Sequence, residues 1–197
     1  MPPTTAALEI HLHLEDGRTV TFAQNDAATA QKILSHIDPH KVFAQHPIIL
    51  SSKHSMTTIL PSALVRIDLI GDNLPHWPQL HNVQEVQEIS EEEFRQRFRP
   101  ELYAQPARPG EVVTAYAELE LVNGSRIFVE VRIEVEERLP ADQAVFIQQI
   151  FTAGGLHAKK RGGGISLLNP AKLVSFSFYP GPQVLPPGTW EAERLPR

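Results

Sequence analysis

The sequence predicts an α+β fold assembled from two tandem copies of a β-β-α-β-β-β unit. Three observations predict it. "PSALVRIDL" at Pro61–Leu69 is echoed by "PAKLVSFSF" at Pro170–Phe178, with the apolar alternation in phase at an offset of 109. A two-residue hairpin signal, Asp16-Gly17, returns as Asn123-Gly124 at an offset of 107. The order of strand-like and helix-like stretches between these landmarks is the same in both halves. Five strands and one helix in about 70 residues bury a thin core. The expectation is therefore two small antiparallel sheets or open barrels packed together with pseudo-twofold symmetry.

The first unit, 1–74, opens with Leu8, Ile10, Leu12 and Leu14 alternating with Glu9, His11, His13 and Glu15. That period of two marks a half-buried strand. Asp and Gly tolerate the positive φ of a type I′ turn, so Asp16-Gly17 reverses the chain into a strand carrying Val20 and Phe22. Asp26 is an N-cap candidate for a helix whose Ala30, Ile33, Leu34 and Ile37 form one stripe. Asp38-Pro39 ends that helix. Short strands follow at about 47–51, 56–60 and 64–70.

The second unit, 111–182, repeats the plan. Ala117, Leu119 and Leu121 alternate with Glu118 and Glu120, and a longer return strand covers Ser125–Glu136. Pro140 is placed to open a helix with Phe146, Ile147, Ile150 and Phe151 on its apolar face. Gly154-Gly155 suits a left-handed cap. Strands are expected at about 156–160, 165–168 and 173–179. Between the units, 75–110 reads as a proline-rich connector with a short helix at about 91–99. Ser90 and Glu93 form a capping box there, and Pro100 stops the helix. The stretch 183–197 reads as a proline-rich tail.

The composition, 42% hydrophobic and 21% charged over 197 residues, supports a real core, and the net charge of −5 is evenly spread. No section is basic enough for a general nucleic-acid binder. The absence of cysteine removes disulfides, thiolate metal sites and thiol catalysis. No apolar run approaches the ~20 residues that span a bilayer, and the N-terminus lacks a signal-peptide pattern. A cytoplasmic protein away from the membrane is expected.

The chemistry-bearing residues are few. His11 and His13 share a strand face at a spacing that can hold one metal ion, and His36 and His40 flank Asp38 near a helix end. The counterparts of His11 and His13 in the second unit are Glu118 and Glu120, which favours a solvated strand face, and no metal or cofactor is expected. "KKRGGG" at Lys159–Gly164 is the one local basic cluster. Lys159, Lys160 and Arg161 beside a flexible glycine run are the candidate contacts for an anion. The P-loop pattern is absent, and no aromatics are interleaved to stack on bases. Trp77 and Trp190 lie outside the units in proline-flanked segments, where each either straps its connector onto the core or anchors a partner. The alternating Glu130, Glu134 and Glu136 read as a strand edge kept soluble by charge.

None of the common nucleophile, metalloprotease or dinucleotide-binding motifs is present. The leading expectation is a non-enzymatic binding or scaffolding protein. It would engage a protein partner or a second copy of itself, partly by adding a strand at the edge of 125–136 or of the final strands. The alternatives are a nucleic-acid or phosphorylated-ligand binder acting through loop 159–164, and an enzyme with a cleft between the units.

Overall fold

A computed structural model describes residues 6–44, 46–51, 54–99, 108–135, 149–150, 152–181 and 190. The fold is α+β: eleven strands in two sheets and two α-helices among the described residues. No helix among them is long and apolar enough to cross a membrane.

Strand β1 (Leu8–Leu14) turns at Gly17, whose φ of +83° is the left-handed conformation the turn needs, into β2 (Thr19–Gln24). Helix α1 (Ala27–Ser35) is capped by Asp26, whose carboxylate accepts from the Thr29 backbone N–H at 2.8 Å. Ala30 and Leu34 are buried, while Ile33 and Ile37 pack beside them, as the stripe predicts. Strands β3 (Ile48–Ser51) and β4 (Met56–Ile59) form a separate two-stranded sheet. A 3₁₀ turn at Pro61–Ala63 then leads into β5 (Leu64–Ile70).

The stretch expected as a connector also contains a strand, β6 (Val83–Ile89), ahead of helix α2 (Glu91–Arg97). The capping box of α2 is formed on both sides by Ser90 and Glu93. Beyond lie β7 (Val112–Leu121), β8 (Arg126–Glu134), β9 (Leu156–Lys159) and β10 (Ile165–Leu168). A 3₁₀ turn at Pro170–Lys172 precedes β11 (Leu173–Tyr179).

Two small separate sheets do not form. Nine strands join in the order β11-β7-β8-β6-β9-β10-β5-β1-β2, because β10 of the second half bonds to β5 of the first and β6 fills the gap between β8 and β9. Strand β10 is antiparallel to β5, and β6 is antiparallel to β8 and meets β9 where Gln87 faces Lys159. Strand β8 is consequently interior, so the edge role expected for Glu130 and Glu134 does not hold. Glu130 instead accepts from Arg97 at 2.6 Å, and Glu136 lies outside the described residues.

Within the halves the pairings stand at constant offsets. Leu12 faces Val20 on β2 and Ile67 on β5, while Leu119 faces Ile127 on β8 and Phe176 on β11. The β1–β5 and β7–β11 pairs shift register at the same place, between His13 and Leu14 and between Leu173 and Ser175.

Two main cores sit on this sheet. One gathers Leu8, Leu12, Leu34, Leu64, Ile67 and Leu69 with Leu167 from β10. The other gathers Leu119, Leu121, Val129 and Val131 with Val65 from β5. Each half thus contributes an aliphatic side chain to the core of the other. A third, aromatic cluster seats α2: Phe94 contacts Phe98, Tyr116, Phe128 and Tyr179 at ring distances of 5.1 to 6.1 Å.

Gly154 and Gly155 do not form a left-handed cap, because neither has a positive φ. They are there for closeness. A Cβ on Gly154 would stand 1.6 Å from the His40 carbonyl oxygen, and one on Gly155 would stand 2.0 Å from that of Pro39. The helix expected at 140–151 lies almost wholly outside the described residues, though Ile150 is buried.

Candidate functional site

The densest polar cluster lies where β1, β5, β10, β9 and β6 run side by side. Arg66 and Asp68 alternate with Val65, Ile67 and Leu69 on β5, which places both polar side chains on one face of an otherwise apolar strand. Register brings His13 opposite Arg66 on one side and Ser166 opposite Asp68 on the other.

Asp68 is 2% exposed and fully engaged. Its carboxylate accepts from Arg66 Nε at 2.6 Å, from His13 Nε2 at 3.1 Å and from Lys160 Nζ. With Nε2–H donating, Nδ1 of a neutral His13 ring accepts the Thr19 hydroxyl at 3.0 Å. Arg66 also donates from both amino groups to Glu88, at 3.0 and 2.8 Å, and Glu88 accepts from the buried Ser166 hydroxyl at 2.8 Å.

Burial by itself would raise the Asp68 carboxyl. The hydrogen bonds from His13 and Arg66, the Arg66 charge and the Lys160 ammonium outweigh it and hold the group well below the usual carboxylate range. Burial likewise works against the Arg66 cation, and Asp68 and Glu88 more than offset it. Among the described residues no buried side-chain nitrogen or oxygen lacks a partner. The donors and acceptors of the cluster are partnered with one another, which ties β1, β5, β6 and β10 together.

The basic loop feeds into the same region. Gly162, Gly163 and Gly164 all have positive φ, which lets the loop turn tightly between β9 and β10. Each of its cations already has a carboxylate. Lys159 donates to Glu85 at 2.6 Å, Lys160 to Asp68, and Arg161 pairs with Glu93. The Lys159 hydrogen bond holds Glu85 below its ordinary range. The Ser90 backbone N–H does the same for Glu93, with Arg161 adding to it.

The four histidines singled out as metal candidates do not converge. His11 Nε2 bonds Glu9 at 3.2 Å, His13 belongs to the Asp68 cluster, and His36 Nδ1 lies 2.5 Å from the Lys32 carbonyl at the end of α1. His40 stands on the loop against Gly154. Among the described residues no group of three or more His, Cys, Asp or Glu is placed to hold a metal ion.

A largely apolar cavity of about 60 Å³ lies against the second core, lined by Leu80, Val83, Leu119, Val131, Leu156 and Phe178 with His40 and His157 at its wall. Burial lowers the His157 imidazole, whose Nε2 donates to the Trp77 carbonyl at 3.3 Å. Pockets that take drug-sized ligands measure roughly 300–1,000 Å³, and among the described residues no carboxylate joins the two imidazoles in the lining. Trp77 sits edge-on to His157 at 6.0 Å and packs on the first core, whereas Trp190 is 93% exposed.

Sequence reasoning missed the central cluster. Its signal was the pair Arg66 and Asp68 inside a strand flanked by apolar residues on both sides, a pattern that requires buried partners. The chain matches no protein-family model, no curated protein and no solved structure.

Proposed function

We propose that the chain is a non-enzymatic binding or scaffolding protein built by internal duplication. The duplication reading is supported by the offsets. Every pairing of β1 with β2 and β5 recurs between β7, β8 and β11 when 107 is added to β1 and β2 and 109 to β5, the register shift included. The β3–β4 pairings recur between β9 and β10 when 108 is added to β3 and 109 to β4, Ile48 facing Ile59 as Leu156 faces Leu168.

One observation carries the binding reading. Among the described residues the buried polar chemistry is internally satisfied, while edge strands and apolar side chains are presented at the surface. The large sheet ends in β2 and β11, neither of which carries a charged residue, and the β3–β4 hairpin exposes Ile49 and Met56. Uncharged edges of this kind accept an added strand. An anion approaching Lys159, Lys160 and Arg161 would have to displace Glu85, Asp68 and Glu93, so the nucleic-acid reading ranks lower. An enzyme reading lacks a convergent acid–base pair among the described residues.

The test is capture from native cell extract on the tagged chain, analysed for protein and nucleic acid. A stoichiometric protein is the expected result. Nucleic acid that disappears when Lys159, Lys160 and Arg161 are replaced by glutamine, or no macromolecule at all, would overturn the reading.

A further inference from the structure

We infer that the chain pairs with a second copy of itself, the β4 edge of one copy lying antiparallel to the β11 edge of the other. The inference deepens the binding reading and rests on its duplication.

The template is inside the chain. Strand β10 of the second half is bonded to β5 of the first, with Ser166 opposite Asp68 and Leu168 opposite Arg66. The offset of 109 turns this into a reciprocal pairing of β4 with β11, Thr57 opposite Ser177 and Ile59 opposite Ser175. A single chain does not make it. Among the described residues β4 pairs only with β3, and β11 is the last strand of the large sheet.

The side chains mark the position of this junction. Where β10 meets β5, Val65, Ile165 and Asn169 are 0%, 9% and 4% exposed. Their counterparts Val174, Met56 and Leu60 are 61%, 70% and 58% exposed. A lone exposed Leu carries no information, but three apolar residues at the positions whose equivalents are buried do. Neither β4 nor β11 has the lysine, proline or inward charge that guards an edge. The opposite face of the hairpin, Ile48, Leu50 and Ile59, is seated on the first core, which leaves Ile49 and Met56 on its outer face. Two copies about a twofold axis make the β4–β11 contact twice and close on each other, without propagating into a fibre.

The absence of cysteine permits a direct test. Chains carrying Thr57→Cys are mixed with chains carrying Ser177→Cys and oxidised. Directly opposed residues of an antiparallel pair stand about 4.5–5.5 Å apart at Cα, within disulfide reach. The expected result is a crosslinked heterodimer, with light scattering giving the unmodified protein twice the 22.0 kDa chain mass. Val174→Lys combined with Met56→Lys, both at surface positions, is expected to halve that mass and leave the fold intact by circular dichroism. A 22.0 kDa mass with no crosslink between chains would overturn the pairing. So would a disulfide that forms only within a chain bearing both cysteines, since β4 would then close on its own β11. These measurements use purified protein alone, so a monomeric result leaves the binding reading to stand or fall on the capture experiment.

Discussion

Arg66 grips Glu88 with both amino groups, at 3.0 and 2.8 Å, although β9 and β10 lie between their two strands in the sheet order. The contact ties β6, a strand from between the halves, to β5 of the first half, and Ser166 of β10 supports it from below. A planar guanidinium can hold Glu88 with one edge while Nε holds Asp68; an ammonium cannot. Arg66→Lys keeps the charge and is expected to cost about 2–3 kcal/mol, since hydrogen bonds between charged groups contribute on that scale. Urea unfolding of the two proteins measures it.

Asp68 makes stability depend on acid. Its folded-state pKa lies below the unfolded value of about 3.9. Stability from this group is therefore complete above roughly pH 4 and is lost as pH falls towards the folded pKa. Asp68→Asn leaves Arg66 and Lys160 without their shared anion, and at pH 7 the loss should be roughly 3–5 kcal/mol. Because the variant has no carboxylate to protonate, the gap between it and the native chain should narrow below about pH 4 in a series of denaturation curves.

The basic loop should respond unequally to neutralisation. Lys160 reaches the buried Asp68, while Arg161 reaches Glu93 with half of its side chain in solvent. Arg161→Gln is expected to cost less than about 1 kcal/mol, the range of exposed ion pairs. Lys160→Gln should cost more, and its effect should persist in 1 M salt where that of Arg161→Gln fades. Thermal unfolding at two salt concentrations separates them.

Gly154→Ala tests a contact between backbones. The added methyl would meet the His40 carbonyl at 1.6 Å, a gap that no side-chain adjustment opens. The loops at 38–44 and 152–155 must part, at a cost of about 1–3 kcal/mol by analogy with overpacked cores. Gly17→Ala is the contrasting variant: nothing lies within 4 Å of its Cβ, and only the positive φ is penalised. Faster amide exchange around Val42 and Phe43 in Gly154→Ala alone would check the assignment.

Much of the fold was legible because local chemistry and final structure agree. Alternation in Leu8–Leu14, the Asp16-Gly17 turn, the Asp26 cap and the Ser90/Glu93 box each settle a few residues without distant help. Strand β6 was illegible for a physical reason. Its apolar residues Val83, Val86 and Ile89 recur every three positions rather than two, and it is a strand because β8 hydrogen-bonds to it along most of its length. The role of Gly154 and Gly155 was misread because a glycine needed for closeness looks the same in sequence as one needed for a turn. Lys159, Lys160 and Arg161 stood out as a basic run, but the carboxylates that meet them come from 68, 85 and 93, far away in the chain.

Strand β6 also changes what kind of object the chain is under load. A slack tether lets two lobes drift and be pulled apart like beads. Here β6, from the stretch between them, is stitched into the fabric, zipped along β8 and clamped to β5 by Arg66. Force drawing the halves apart would meet hydrogen bonds first and loose chain only after they tear, so the molecule should give way in one abrupt rip.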